Sequence, residues 1–507
     1  MGSFFVVVLA AFAAVGSFLF GYDQGVMTNV IASPHFLNYF DTSPESDIVG
    51  AMNSTFSGGA AVGALCGGYI TEVLGRKWTI VGGATVATVG AILQAAAQSL
   101  PMMLVGRIIS GWAIGLLSMV IPMYQAECAP PAKRGLIVGT AQFMIGLGTI
   151  TAAWVGYGCN RTSDTSAFQW RFPLAFQCIP SAVLMVGMPF FPESPRHLIR
   201  MGKFDQGMAV LRKLHTSGES TDWVENEFHE IKTAIDKENE VTIPTLKAIC
   251  VIPQWRKRFI IAFLMQFFGQ CTGINVFNYY QTIMYRNLGI HGDNITLLSC
   301  FYNMAGTLSI LVFINFAIDR VGRRMPLLIG CVAISLFLLL EAIVTSQNTD
   351  GNHKGLSGLG ILWMWLHCCF FSASFGPICW AYMSELLPTQ IRATGSAICV
   401  GIGLWAVNVM WSQVSPKALG KIGWKYYFVF LAINVCVTFP VMWKWFVETK
   451  GVPLEEIDNL FGGPVDLSRW SNAAPAAAEK AALEHTEELA KGDVTVEAAA
   501  ADVTKED

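Results

Sequence analysis

Asp23 and Arg107 each interrupt a long apolar run. An ionisable side chain in such a run costs at least about 2.5 kcal/mol to place in a bilayer, so it is a functional candidate by default. Asp23 lies about eight residues, or ~12 Å of helix, before the end of its run, and Arg107 about six residues, or ~9 Å, after the start of another. If the two runs cross a membrane in opposite directions, the charges meet at matching depth. Paired, they neutralise each other. A proton on Asp23 would cancel the carboxylate and release Arg107, which is the chemistry of a proton switch. A static ion pair bracing two helices is the other reading. Two further ionisable groups share this setting. Glu341 lies about five residues from the end of its run, near enough to reach headgroups or water. His367, beside Cys368 and Cys369, reads as a hydrogen-bonded helix contact and not as a ligand or proton relay.

The elements that must carry these residues are transmembrane helices. Of 507 residues 53% are apolar and only 14% charged, against about a quarter in a soluble protein. The 33 basic and 36 acidic residues nearly cancel, which excludes a disordered chain and leaves no basic excess for nucleic acid. A span needs about 20 largely apolar residues. Twelve are expected, near 4–31, 48–70, 78–98, 100–122, 136–158 and 172–191, then 258–285, 295–318, 325–346, 358–383, 394–414 and 424–447. The fold class is therefore an all-α membrane protein. The expected division is an N-terminal bundle over 1–195, a central loop over 196–257, a C-terminal bundle over 258–447 and a tail over 448–507. The central loop is charged, and amphipathic stretches such as Trp223 to Lys237 predict short helices on the membrane surface or in water. From about residue 464 the tail is rich in Ala, Glu and Lys, a composition that predicts disorder. Phe4 to Phe20 has no basic region before it and no small-residue cleavage site after it, so it reads as the first span and not as a removable signal.

Lysine and arginine placement gives the orientation. With Met1 inside, the short inner loops hold Arg76, Lys77, Lys133, Arg134, Arg320, Arg323, Arg324 and Arg392, and six more basic residues flank the central loop. The outer loops hold seven. Both termini are therefore expected in the cytoplasm. An internal repeat supports the two halves: EVLGRK (Glu72 to Lys77) is matched by DRVGRR (Asp319 to Arg324), and Glu127 stands seven residues before Arg134 as Glu385 does before Arg392. Two copies of six spans in the same orientation are the parallel repeat of secondary transporters.

These residues also resemble a family. GYDQG (Gly21 to Gly25), PESPRHL (Pro192 to Leu198), GQCTGIN (Gly269 to Asn275), DRVGRR and ETKGVPLEEID (Glu448 to Asp458) are similar to the motifs of the sugar porter family of the major facilitator superfamily, and to fungal sugar/proton symporters within it. The resemblance implies two six-helix bundles, alternating access and a sugar site near mid-membrane. It also implies a cytoplasmic charge latch made by Glu72, Arg76, Glu127, Arg134, Asp319, Arg323, Glu385 and Arg392, closed in one state and open in the other. In proton-coupled members the Asp and Arg at the positions of Asp23 and Arg107 carry the coupling. By the same resemblance the sugar would meet Gln142, Gln270, Asn275, Thr307, Trp380 and Asn408, with Phe20, Tyr279 and Tyr280 as aromatic gates. Amides both donate and accept, and an indole offers a flat surface to the C–H face of a sugar. Three departures bear on substrate choice: Gly269 stands where many members have a second Gln, Thr307 where many have Asn, and Trp405 with Asn408 falls one position later than usual.

The function expected is import of a hexose or pentose with a proton across the plasma membrane, with a polyol/proton symporter, a facilitative uniporter and a transporter-like sugar receptor as alternatives. The partners are the sugar or polyol, protons and the lipid bilayer, and a monomer is expected. No cofactor is called for, because the proton gradient drives the cycle. No Walker motif, H-E-x-x-H or nucleophile elbow points to an enzyme. The thirteen cysteines lack C-x-x-C spacing and lie mostly in apolar runs, as Cys66, Cys331 and Cys399 do, so no metal site is expected. Gly59, Gly63 and Gly67 in the second span predict close helix packing.

Overall fold

The computed structural model describes residues 2–129, 134–163, 165–215, 221–240, 245–290, 292, 294–316, 321–348, 353–450 and 457–462. Helices dominate, and no strand occurs among the described residues. The bilayer imposes this, since a lone segment crossing hydrocarbon must pair every backbone N–H and C=O within itself. The first half runs through Gly2–Ala13 and Val15–Ala32, then Asp47–Leu74, Arg76–Ala95, Leu100–Cys128, Arg134–Asn160, and Phe168–Phe176 with Cys178–Gly187. The second runs through Pro253–Cys271 with Ile274–Asn287, Asn294–Phe316, Arg324–Gln347, and Lys354–Ser372 with Phe375–Leu386. It ends with a run from Thr389–Ile398 to Val407–Ile422 and another from Tyr427–Ile433 to Phe439–Trp445.

These are twelve crossings, six in each half. Length and apolarity alone pick out nine stretches among the described residues, and one of them, Ile391–Trp445, has 55 residues. That is far more than the about 20 a single crossing takes. The chain turns at Gly423, whose φ is 51°, and so supplies two crossings. Asp47–Leu74 is absent from the nine because Gly, Ser, Thr and Asn dilute its apolarity, and its glycines have a packing task. A methyl group on Gly59 or Gly63 would overlap the carbonyl of Ile108 or Trp112, while Gly111 and Gly115 close on Phe56 and Ala60 in return. Gly21 and Gly148 bring Val15–Ala32 against Arg134–Asn160 in the same way. The helices that carry Asp23 and Arg107 are thus held by backbone-to-backbone contact.

The central stretch forms the short helices Pro195–Arg200, Phe204–His215, Thr221–Glu240 and Thr245–Val251. Ile199, Leu211, Val224, Phe228 and Ile235 make a separate apolar cluster there, as the amphipathic spacing requires. The tail from 464 onward lies outside the described residues.

The turns at Gly75 and Gly322 mark one end of the molecule, the junction end; the other end is distal. Both glycines have left-handed φ, 86° and 91°. Each also leaves room for a carboxylate, Glu193 or Glu448, that a Cβ would strike.

Candidate functional site

Interruptions in three helices of the second half open a cavity between the halves. The seventh crossing breaks at Gly273, with φ 91°, and bends again at Tyr280, where φ is −122° and ψ 16°. The tenth breaks at Ser374. The eleventh contains a π-helical stretch, Cys399–Ala406. The resulting cavity measures about 140 Å³. Gln142, Gln270, Asn275, Thr307, Trp380 and Asn408 all line it, as does Phe20. Trp405 lies within the π stretch and Asn408 two residues after it. An i→i+5 turn absorbs one additional residue, and both Trp405 and Asn408 face the cavity.

Four amides that the sequence reading left out also line the wall: Gln24, Gln266, Asn278 and Asn303. Helical spacing could have found three of them. Gln266 lies four residues before Gln270, Asn278 three after Asn275, and Asn303 four before Thr307, so each pair shares a face. Several of these groups bond to one another or to the backbone. Asn275 Nδ2 donates to Gln270 Oε1 at 2.5 Å, and Tyr302 Oη donates to Asn278 Oδ1 at 3.1 Å. Others have no hydrogen-bond partner: Gln142 Oε1, Gln266 Oε1, Asn408 Oδ1 and Trp405 Nε1. A buried polar atom left unpaired costs about 1–3 kcal/mol. Three acceptors and one donor on cavity-lining residues are thus left without a partner. Among the described residues, none that lines the cavity is charged.

The charge pair lies close by. Arg107 Nη1 stands 3.5 Å from Asp23 Oδ1, and the two side chains are 0% and 1% exposed. Arg107 Nε donates to the Met52 carbonyl at 3.1 Å, and its guanidinium lies 4.3 Å from the centre of the Phe56 ring. Phe56 meets the ring of Trp405 edge-on at 5.9 Å, and Phe20 lies 5.3 Å from Trp405. One aromatic ring therefore separates the ion pair from a residue of the cavity wall. A buried pair of this kind is costly to break, because the partner left behind is an uncompensated charge.

Tyr279 and Tyr280 are fully buried and do not line the cavity. Tyr280 instead joins the halves on the distal side. Its hydroxyl accepts from Asn53 Nδ2 at 3.1 Å and donates to the Ser412 carbonyl at 2.5 Å. Thr28 Oγ1 donates to the Asn278 carbonyl at 2.7 Å, Ser54 Oγ to Gln413 Oε1 at 2.6 Å, and Lys417 pairs with Asp47 at 2.9 Å. The expected latch residues lie at the junction end. Arg76 pairs with Glu127 at 2.9 Å and Arg323 with Glu385 at 3.0 Å, each within its own half. Glu72 pairs with Arg200 at 3.3 Å, and Arg392 Nε donates to the Leu387 carbonyl. Asp319 and the side chain of Arg134 lie outside the described residues.

Glu341 differs from the expectation. It does not reach headgroups or water but is 1% exposed inside the second half, bonded to Thr345. It points inward because its helix presents Glu341 and Thr345 to the bundle and not to the bilayer. His367 Nε2 lies 3.1 Å from the Thr272 carbonyl, at the break of the seventh crossing, and its ring stacks on Phe277 at 4.4 Å. It is a helix contact, as its surroundings in the sequence indicate.

The family model described as "Sugar (and other) transporter" matches residues 9–461. "MFS-type transporter criB" of Aspergillus cristatus is 34% identical over 462 residues, which covers 91% of this chain and 94% of that protein. The "High-affinity glucose transporter" of Kluyveromyces lactis is 30% identical over 493 residues, 93% of this chain and 87% of the relative. Among solved structures, the proton:xylose symporter XylE bound to 6-bromo-6-deoxy-D-glucose matches with a TM-score of 0.78 at 26% identity, covering 91% of this chain and 100% of that one. This chain thus belongs to the sugar (and other) transporter family, and is an integral membrane transporter of the sugar porter type in the major facilitator superfamily.

Proposed function

We propose that the protein imports a neutral monosaccharide, a hexose or a pentose, together with a proton, by alternating access across the plasma membrane. One observation carries the reading: a cavity without a charged residue, lined by amides with unpaired oxygens, stands one aromatic ring from the buried Asp23–Arg107 pair. The uncharged wall favours a sugar over an organic anion, which would need a cation to receive it. Trp380 offers a flat apolar surface to the C–H face of a pyranose. Asp23 takes the proton and Arg107 responds to its charge. The names of two relatives, a glucose transporter and a proton:xylose symporter, favour the same substrate class.

In this reading the junction end and both termini are cytoplasmic. The distal bonds shut the outer side, and the cavity releases sugar inward when the Asp23 proton leaves. The protein works as a monomer, and the proton gradient replaces any cofactor.

The test is solute-driven external alkalinisation in cells without sugar carriers of their own, with glucose, galactose, xylose, arabinose, sorbitol and glycerol as the panel. Proton entry with glucose or xylose that vanishes in Asp23→Asn, with the protein still at the surface, supports the proposal. Sugar uptake without a pH change would make the protein a facilitator. A response to sorbitol or glycerol alone would make it a polyol carrier, and no uptake of any solute would turn attention to sensing.

A further inference from the structure

We infer that Asn53 and Tyr280 form the link through which the Asp23–Arg107 pair controls the distal closure, with Asn53 as a positioning residue for proton coupling. The inference rests on the proton-coupled reading above. Besides Asp23 and the Phe56 ring, Arg107 holds the Met52 carbonyl, to which its Nε donates. Asn53 follows Met52 directly, and its Nδ2 donates to the Tyr280 hydroxyl, which in turn donates to the Ser412 carbonyl. The chain of contacts therefore runs from Asp23 in the first crossing to Arg107 in the fourth, across one peptide of the second, and into the seventh and eleventh crossings of the other half.

Three features make this link suited to switching and not only to bracing. Asn53 and Tyr280 are both 0% exposed, so no water competes for their bond. Arg107 Nη2 and Asn53 Oδ1 have no hydrogen-bond partner, which leaves each end of the link able to take up a second arrangement. Tyr280 has non-helical φ and ψ in the middle of Ile274–Asn287, so the helix is already bent at the residue that must move. When Asp23 changes charge, the guanidinium redistributes between the carboxylate and the Met52 carbonyl. The adjoining Asn53 then tightens or relaxes its hold on Tyr280. A bistable contact of this kind ties a local charge to a movement between halves.

The test uses the full-length protein in liposomes, with D-glucose and D-xylose as probes. Two quantities are read: exchange of labelled sugar at equal pH, which needs no net proton movement, and accumulation driven by an imposed pH gradient. Asn53→Leu is expected to keep exchange within about twofold of the wild type and to lose accumulation by at least about tenfold. Tyr280→Phe is expected to do the same, and Asn53→His, which keeps a donor, to restore part of the accumulation. Accumulation by Asn53→Leu at the wild-type level would overturn the inference, as would equal loss of exchange and accumulation in both variants. If Asn53→Leu does not insert, Tyr280→Phe decides the matter on the same two readings. A wild type that exchanges sugar but never accumulates it would instead overturn the proton-coupled function, and this inference with it.

Discussion

At the junction end the two halves are near copies, and deeper in the membrane they diverge. In the first half Glu193 accepts from the backbone N–H groups of Arg76 and Lys77, Arg76 reaches Glu127, and Ser194 donates to Glu127. In the second half Glu448 accepts from Arg323 and Arg324, Arg323 reaches Glu385, and Thr449 donates to Glu385 at 2.6 Å. Tyr124 and Tyr382 each tie a helix to the strap that carries the carboxylate, at 2.7 Å in both cases. Between these repeated ends the likeness stops. The first half holds the buried ion pair, and the second holds the broken helices and most of the cavity amides. A duplicated frame has kept the parts that fasten loops to helix ends and divided the rest: the buried charge pair in one half, most of the cavity amides in the other.

Substitutions in the cavity wall give the largest effect expected of that division. In the proposed function Gln270→Ala or Asn408→Ala removes a hydrogen-bonding partner of the sugar and should raise KM for uptake about tenfold, the equivalent of ~1.4 kcal/mol. The ratio of protons to sugar should not change, because the charge pair is untouched. A changed ratio would break the division.

The twin carboxylates sharpen it at the next level. Burial pushes the Glu193 carboxyl above its ordinary range, and the backbone bonds from Ser194, Lys77 and Arg76 do not offset that. For Glu448 burial also pushes upward, but four backbone N–H donors win and hold it below the ordinary range. The signs are therefore opposite. Glu448 stabilises the fold when ionised, so its contribution is present at neutral pH and is lost as pH falls through its lowered value. Glu193 is disfavoured when ionised, so what it contributes in its protonated form is lost as pH rises through its raised value. Glu448→Gln should lower the melting temperature of the solubilised protein at pH 7 by roughly 2 °C, since solvent screens this partly exposed site. Glu193→Gln should leave it unchanged or raise it. Equal falls for both variants would contradict the contrast.

The smallest effect belongs to His197, on the strap that carries Glu193. His197 Nδ1 lies 3.0 Å from Arg76 Nη1 and must accept from it as a neutral ring. Burial, and then Arg76, hold its imidazole below the ordinary value. The stability it permits is complete above the unfolded value of about 6.5 and declines as pH falls below it. Melting curves between pH 7.5 and 5.5 should show this decline, and His197→Gln, which keeps an acceptor for Arg76, should flatten it.

Much of this was legible in the sequence, because the signals were local. Apolar runs, with the turns that divide them, gave twelve crossings, the spaced glycines predicted close packing of the second, and the matched GRK and GRR turns revealed the repeat. The cavity residues were legible only through likeness to a family, and the likeness passed over Gln24, Gln266, Asn278 and Asn303. What no local signal carries is the docking of one half on the other. The bond from Asn53 to Tyr280 spans 227 positions, and nothing in either segment announces its partner. Glu341 was misread for a related reason: distance from a helix end says how deep a residue lies but not which way it faces.

The central claim is that a charge in the first half governs what happens to a sugar in the second. Liposomes holding wild-type protein or Asp23→Asn, given an inward proton gradient and labelled D-glucose or D-xylose, test it most directly. The account predicts that the wild type accumulates sugar above its external concentration, while Asp23→Asn exchanges sugar across the membrane but only equilibrates it. Accumulation by Asp23→Asn at the wild-type level would contradict the account and leave Asp23 and Arg107 as a brace between two helices.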